Sequence, residues 1–197
     1  MSFFKMTAKA MRGGPGLGSI LKSLAILENT DVLVGIPMAQ SSRSGQINNA
    51  ELGFILSNGV RIKSARKEIK KLTDSGQTYA SAVDAYIHAT GDQRWKIPPR
   101  PFLKPAIDAN IGQIGKYHAA AFKAAMKGDE SEVIEILDEL GLQAQNWVKG
   151  WFNNPKNGWA PNAPYTIEKK GSDRPNIDTG QLRNSITYVL RDKRLSK

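Results

Sequence analysis

Residues 129–151 carry the feature that most restricts the fold, an apolar seam at helical spacing. Apolar side chains recur there four and three residues apart, at Val133, Leu137, Leu140, Ala144, Trp147, Val148 and Trp151. This spacing is typical of a long helix that buries one stripe of its surface. Asp129 and Glu132 form a capping pair at its start, where acidic side chains suit the positive end of the helix dipole.

A second long helix is predicted directly before the first, over residues 105–127. Its apolar side chains lie near one stripe, at Ile107, Ile111, Ile114, Ala121, Phe122 and Ala125. The run Ile97-Pro-Pro-Arg-Pro-Phe-Leu-Lys-Pro precedes this helix, and its closely spaced prolines hold the backbone extended. Pro105 suits the first turn of the helix, and Gly128 ends it.

Two strands are predicted near the ends of the chain, and the sheet is expected to contain at least one further strand whose position the sequence does not mark. Residues 32–36 form a short apolar run, and residues 186–191 alternate, with Ile186, Tyr188 and Leu190 on one face. Together with the two long helices they predict the fold class α+β. In this fold a small, mostly antiparallel sheet packs on two long central helices.

Three shorter helices complete the predicted elements. One follows an N-cap at Ser19, one covers residues 49–58 with Gly59 after its end, and one covers residues 79–89. The basic run between the last two, residues 61–71, is compatible with a solvated helix or with a mobile loop.

The chain is predicted to form a single domain over residues 19–191. Residues 1–18 are expected to be a flexible N-terminal arm, because their last seven residues are rich in glycine. Residues 153–177 combine Asn, Pro, Gly and Lys with embedded aromatic side chains, which predicts a long arm or loop that packs on a neighbour. Residues 192–197 are expected to be a frayed tail.

The formal net charge of +10 is unevenly distributed. Residues 61–71 hold six basic side chains and one acidic one, whereas residues 128–142 hold six acidic side chains and no basic one. A basic chain suggests a polyanionic partner such as nucleic acid. Patches of both signs fit self-association or docking to another protein at least as well.

Several chemistries are excluded or disfavoured by composition. The chain contains no Cys, which removes disulfides, thiol catalysis and Cys-ligated metals, and its only imidazoles are His88 and His118. No apolar stretch reaches the length of a membrane span, and the N-terminus does not match a signal peptide. The sequence therefore predicts no membrane association and a chain that folds in a reducing cytosol.

One triplet, Asp178-Thr179-Gly180, matches the triplet that carries the catalytic carboxylate of aspartic proteases. That chemistry needs two carboxylates that share a proton, and the apolar strand that usually enters the triplet is absent here. We therefore expect a capping turn, with Asp178 or Thr179 as the cap, and predict no enzyme activity and no catalytic, metal or cofactor site.

Four runs, in order along the chain, carry a resemblance to a known family. They are Val32-Leu-Val-Gly-Ile-Pro37, then Asn49-Ala-Glu-Leu with Ser57-Asn-Gly59, then Ile97-Pro-Pro-Arg-Pro-Phe102, and finally Asn162 to Thr187 with its segment Ile177-Asp-Thr-Gly-Gln-Leu-Arg-Asn-Ser-Ile-Thr. This series resembles the virion morphogenesis or tail-completion proteins of tailed bacteriophages, from about residue 30 to residue 191. Against that family pattern, residues 60–96 look like an insertion.

The resemblance implies a structural virion protein that forms a ring at the head–tail junction or at the top of the tail. Such rings are commonly six-fold or twelve-fold, and their partners are further copies of the chain and neighbouring neck, connector and tail-tube proteins. It implies no catalysis and no cofactor, and it places the protein in the virion and, during assembly, in the host cytoplasm. The alternative is a cytosolic basic DNA-binding protein.

Two sets of residues stand out. The family pattern is carried, as fold-building positions, by Pro98, Arg100, Pro101, Phe102, Asp178, Thr179, Gly180, Leu182 and Ser185. Candidate contacts to a partner, or to genomic DNA without sequence recognition, are Arg61, Lys63, Arg66, Lys67, Lys70, Lys71, Trp159 and Tyr165.

Overall fold

The computed structural model describes residues 16–37, 39, 41–43, 48–61, 63–90 and 96–195. The chain is a mixed α and β protein, as predicted, and most of its described residues are helical. Its contacts divide into two compact units. Of the described residues, unit 1 contains those up to Gly35, those of Ala106–Val148 and those from Thr187, and unit 2 contains those of Ile36–Pro105 and Lys149–Ile186. The predicted single domain over 19–191 does not anticipate this division, in which the chain passes between the units four times.

Unit 1 contains the predicted sheet and both long helices. Its elements are α1 (Leu17–Asn29), β1 (Thr30–Gly35), α6 (Ile111–Met126), most of α7 (Glu130–Trp151) and β4 (Thr187–Asp192). β1 and β4 pair antiparallel, with Val32 opposite Leu190. These two side chains pack on a buried cluster of α6 and α7 that includes Ala125, Val133 and Leu137. Unit 1 therefore contains a small antiparallel sheet, and among the described residues this sheet has two strands and lacks the further strand that was expected.

The predicted helix over 105–127 is wrong in one respect, because it consists of two helices. α5 (Leu103–Asp108) ends before α6 begins. The Asn110 side chain donates from Nδ2 to the Ala106 carbonyl at 2.8 Å, and the Asn110 backbone lies at φ −115° and ψ 14°. An Asn side chain that bonds to nearby backbone in this way competes with the helical pattern and interrupts it.

The predictions for the two ends of the chain are wrong in part, as far as those ends are described. α1 begins at Leu17, inside the predicted arm, and the Ser19 hydroxyl donates to the Gly16 carbonyl at 2.7 Å instead of capping the helix. Residues 1–15 lie outside the described residues. The predicted frayed tail is wrong for its first two residues, since Asp192 pairs with Thr30 and the Lys193 N–H donates to the Asn29 carbonyl at 2.8 Å.

Unit 2 is built from short elements. They are α2 (Asn49–Asn58), β2 (Val60–Arg61), α3 (Lys63–Asp74), α4 (Tyr79–Thr90), β3 (Lys96–Ile97), a 3-10 turn (Pro155–Asn157), α8 (Pro164–Lys170) and α9 (Gln181–Asn184). The basic run is thus a helix and not a loop. Ile69 of α3 packs on Ala82 and Tyr86 of α4. Val60 and Ile97, which flank this helix pair in the sequence, pair in a short antiparallel ladder.

The prediction of a long arm or loop over 153–177 is wrong in part. α8 forms in the middle of this stretch, with Pro164 in its first turn. It ends at Lys170 and is followed by Gly171, whose φ of 66° suits glycine.

Among the described helices, none combines the length and the apolar character needed to span a bilayer.

Candidate functional site

The proline-rich run 97–102 is tied to the end of α2 by backbone contacts. At Gly59 the backbone has φ of 69°, and a Cβ there would lie 2.6 Å from the Ile97 carbonyl oxygen and 2.8 Å from the Pro99 nitrogen. Only glycine, which has no Cβ, can adopt this φ and lie this close to the backbone of Ile97 and Pro99. One turn earlier, the Leu56 carbonyl accepts from the Arg100 N–H at 2.7 Å. These contacts fix the position of Arg100 in unit 2.

Aromatic packing holds the other end of the run. Phe102 is 1% exposed, and its ring centroid lies 5.0 Å from that of Phe152. Phe152 in turn meets Trp159 edge-on at 5.5 Å, and the Trp159 Nε1–H donates to the Pro101 carbonyl at 2.9 Å. Trp159, predicted as a partner contact, therefore packs and bonds within its own unit.

The last of the four runs that carry the resemblance packs against the proline-rich run. A Cβ at Gly53 of α2 would lie 3.3 Å from the Phe102 ring and 3.6 Å from Leu182, so these residues converge on the same helix. Leu182 and Ser185 are buried, and the Ser185 hydroxyl donates to the Leu182 carbonyl at 2.8 Å. Runs about eighty residues apart in sequence thus form one core.

The Asp178-Thr179-Gly180 triplet turns the chain into α9 without a side-chain cap. Gly180 is the N-cap, at φ of 79°, and no side chain bonds there. The expectation that Asp178 or Thr179 caps this turn is therefore wrong. Both residues are exposed and line a pocket.

This pocket has a volume of about 170 Å³ and lies entirely within unit 2. Three cationic side chains line it, those of Arg43, Arg100 and Lys170, against the single carboxylate of Asp178. The apolar part of its wall is formed by Leu52, Leu56, Ile177 and Leu182. We call it the basic pocket.

Arg100 is the most buried of the three cations, at 7% exposure. Its Nε donates to the Ala160 carbonyl at 2.9 Å and one terminal nitrogen donates to the Pro161 carbonyl at 2.8 Å. Both acceptors are neutral, and within the described residues no carboxylate lies in ion-pair distance of this guanidinium. Burial accordingly lowers the pKa of Arg100.

Lys170 enters the pocket from the last turn of α8. Its Nζ donates to the Arg174 carbonyl at 2.6 Å. Burial lowers the pKa of Lys170, and the nearby Arg100 charge adds to the lowering. Together these effects outweigh the attraction of the Asp178 and Asp173 carboxylates, which raises the pKa. The pocket thus holds two cations that lack full compensation.

Asn176 closes the pocket beside Arg100. Its backbone is left-handed, at φ of 58°, and its Nδ2 donates to the Arg100 carbonyl at 3.3 Å. Its Oδ1 is buried and finds no donor among the described residues, so a water or another donor is needed there.

The predicted basic contacts lie elsewhere in unit 2, on α3 and β2. The side chains of Lys63, Lys67, Lys70 and Lys71 are exposed, and none of them lines the basic pocket. Two of them form ion pairs within the helix, Lys70 with Asp74 at 2.9 Å and Lys71 with Glu68 at 3.7 Å. The side chains of Arg61 and Arg66 lie outside what the structure describes. Tyr165 on α8 is 40% exposed.

Unit 1 presents a surface of the opposite sign on α7. The carboxylates of Glu130, Glu135, Asp138 and Glu139 are exposed there, with Ile134 (46% exposed) among them. Three of these acids accept hydrogen bonds from neutral hydroxyls: Ser131 donates to Glu135, Tyr188 to Asp138 and Tyr117 to Glu139. We call this surface the acidic face.

Arg43, Lys170 and Asn176 carry no signal in the sequence that marks them as site residues. Lys170 belongs to a recognisable helix end, but nothing in its spacing connects it to Arg100. Within the described part of the chain, no group of three or more His, Asp or Glu side chains is arranged to hold a metal ion. Comparison of the chain with known protein families, with curated proteins and with solved structures finds no match.

Proposed function

We propose that the chain is a structural protein of a tailed-bacteriophage virion that forms a ring at the head–tail junction or at the top of the tail. The resemblance of its four runs to tail-completion proteins is the starting point. The two most specific of those runs pack together around α2, through Phe102, Leu182 and Gly53. Residues that carry the resemblance therefore build one core, as expected of a shared fold.

The observation that carries the proposal is the separation of opposite charges onto different units. The acidic face belongs to α7 in unit 1, and the basic pocket and the lysines of α3 belong to unit 2. A ring needs a heterologous contact, in which one surface of a subunit meets a different surface of the next. Complementary charge on two different surfaces suits such a contact.

A further surface suited to assembly is the outer face of the sheet. Leu33 and Val189 lie opposite each other in the ladder and are 41% and 46% exposed. The side chains that alternate with them, Val32 and Leu190, cover the helices. Both strands of this two-stranded sheet are edge strands within the described residues, and edge strands accept further strands from other chains.

The proposal assigns the protein no catalysis and no cofactor. Its partners are further copies of itself, in a ring of six or twelve, and the neighbouring neck, connector and tail-tube proteins. Genomic DNA that passes through the ring would meet exposed lysines as a polyanion, without recognition of its sequence.

Mass photometry of the purified chain tests the proposal. We expect a population whose mass equals six or twelve copies of the 21.6 kDa chain, growing with protein concentration. A strict monomer at every concentration contradicts it.

The exposed lysines of α3 favour one second candidate, a cytosolic DNA-binding protein. It predicts duplex binding that weakens steeply as salt is added. Replacing Arg61, Lys63, Arg66, Lys67, Lys70 and Lys71 by Gln should abolish that binding without loss of helical circular dichroism. Absence of duplex binding by the unmodified chain at about 50 mM salt removes this candidate.

A further inference from the structure

We propose that the basic pocket binds a carboxylate side chain supplied by the acidic face of a second copy of this chain. The proposal rests on the ring assembly proposed above and names the contact that joins neighbouring subunits. It goes beyond the expectation from sequence, in which Arg100 and Asp178 are fold-building positions only.

The charge of Arg100 is the first argument. Arg100 is 7% exposed as a residue, so its charge carries a desolvation cost, which a carboxylate partner normally offsets. Here it meets only the carbonyls of Ala160 and Pro161. These two bonds use two of its five N–H donors, so the others remain for an anion in the pocket that Arg100 lines.

The convergence of donors is the second argument. The Lys170 ammonium has three donors, and Arg174 accepts one of them. Arg43 adds a third cation to the same wall. A carboxylate takes up to about four hydrogen bonds on its two oxygens, and charge-assisted bonds of this kind are the strong ones.

The size and lining of the pocket favour a carboxylate over a phosphate. A volume of about 170 Å³ admits the end of a Glu side chain, and the apolar wall of Leu52, Leu56 and Leu182 suits its methylene groups. A phosphate has no methylene groups to place against this apolar wall, so the wall favours the carboxylate.

The source of the carboxylate is the third argument. Residues 128–142 contain six of the eighteen acidic residues of the chain and no basic one. Exposed Glu135 accepts only the Ser131 hydroxyl, at 3.2 Å, among the described residues. The basic pocket holds more cations than carboxylates, so it is complementary in charge to the acidic face of a second copy.

A variant pair tests the contact through assembly. Lys170→Gln removes one pocket charge, and Lys169→Gln is the matched control, since Lys169 is the neighbouring exposed lysine of α8 and does not line the pocket. We expect Lys170→Gln to raise the concentration for half assembly about tenfold or more, because a buried charge pair is broken at every contact in the ring. Lys169→Gln should assemble like the unmodified chain.

Crosslinking tests which surfaces meet, and the absence of Cys makes this straightforward. Thr179→Cys labels the pocket rim, Ile134→Cys labels the acidic face, and Ser81→Cys labels an exposed position on α4. A short bismaleimide should join Thr179→Cys to Ile134→Cys in a mixture of the two variants. It should not join Thr179→Cys to Ser81→Cys, and adding Lys170→Gln to the first variant should reduce the yield about tenfold.

Titration with two small anions tests the chemistry of the pocket separately. Glutarate should bind the unmodified chain and Lys169→Gln equally, bind Lys170→Gln about tenfold more weakly, and bind more tightly than inorganic phosphate. Tighter binding of phosphate, or equal binding of glutarate to all three chains, overturns the proposal.

Failure of this inference differs from failure of the proposed function. Normal rings of the Lys170→Gln variant, or equal crosslinking to both Cys positions, overturn the inference and leave the ring standing. A chain that never assembles contradicts the ring and the second copy together, and the glutarate titration then decides whether the pocket binds carboxylates at all.

Discussion

Gly141→Ala is expected to destabilise unit 1 although alanine is the better helix former. Gly141 is buried in the interior of α7, beneath the ring of Tyr188 on β4. A Cβ added there would lie 2.7 Å from Cε2 and 2.8 Å from Cγ of that ring, closer than carbon atoms approach in proteins. The Tyr188 ring must therefore move, and its hydroxyl would leave the Asp138 carboxylate, to which it donates at 2.9 Å.

The magnitude follows from two opposing contributions. Overpacking of a buried site costs about 1–3 kcal/mol, and the close approach to the ring favours the upper part of that range. The change from glycine to alanine in a helix returns about 1 kcal/mol. The net expectation is a loss of about 1–2 kcal/mol in the free energy of unfolding, measured by urea denaturation.

Gly115→Ala is the matched control in the same unit. Gly115 lies inside α6 and is exposed, and a Cβ added there would meet no atom within 4 Å beyond the adjacent backbone of its own helix. The same substitution there should stabilise the protein by about 1 kcal/mol. In a Tyr188→Ala background, Gly141→Ala should also become stabilising, because the obstructing ring is gone. Equal or greater stability of Gly141→Ala in the unmodified chain would refute the reasoning.

Two further predictions concern stability. Phe102→Ala should lower the free energy of unfolding by about 3–5 kcal/mol, because Phe102 is 1% exposed. Phe54, at 70% exposure, is the control, and Phe54→Ala should change the free energy of unfolding by less than about 0.5 kcal/mol. Equal effects of the two substitutions would contradict the assignment of Phe102 to the core. Hydrogen bonds from Arg194 lower the pKa of Asp192 to about 2, from 3.8, so this carboxylate stabilises the fold above pH 3.8 and the stabilisation is lost as the pH falls toward 2. Asp192→Asn should therefore be less stable than the unmodified chain at pH 5, and the difference should vanish as the pH falls below 2. A difference that stays constant over this range contradicts the ion pair.

Periodic segments of the fold could be predicted from the sequence. The four-and-three spacing from Val133 to Trp151 places α7, and the alternation of Tyr188 and Leu190 places β4 against the helices. The break at Asn110 is hidden because the apolar stripe continues through Ile107 and Ile111, while a single side-chain bond to Ala106 interrupts the helix. The polar composition around α8 obscures its signals, which are Pro164 at its start, lysines in its last turn and Gly171 after it.

The candidate site was less accessible to sequence reasoning. The resemblance singled out Arg100 as a family-pattern residue. Its hydrogen-bond partners, however, are backbone carbonyls about sixty residues away, and because every residue has a backbone carbonyl, the sequence does not indicate which ones bind it. Its neighbours in the pocket, Arg43 and Lys170, belong to a loop and a helix end whose spacing carries no periodic signal. Only the packing of distant segments brings Arg43, Arg100 and Lys170 to one pocket, so the pocket could be identified only from the structure.

The central claim is that copies of this chain close into a ring through unlike surfaces. Single-particle electron microscopy of the assembled chain tests it most directly, with Lys170→Gln and Lys169→Gln prepared in parallel. All three chains are imaged just above the concentration at which the unmodified chain is half assembled. We expect closed rings of six-fold or twelve-fold symmetry for the unmodified chain and for Lys169→Gln, and mostly dispersed subunits for Lys170→Gln. Dispersed subunits of the unmodified chain, or open filaments without a closed ring, would contradict the claim.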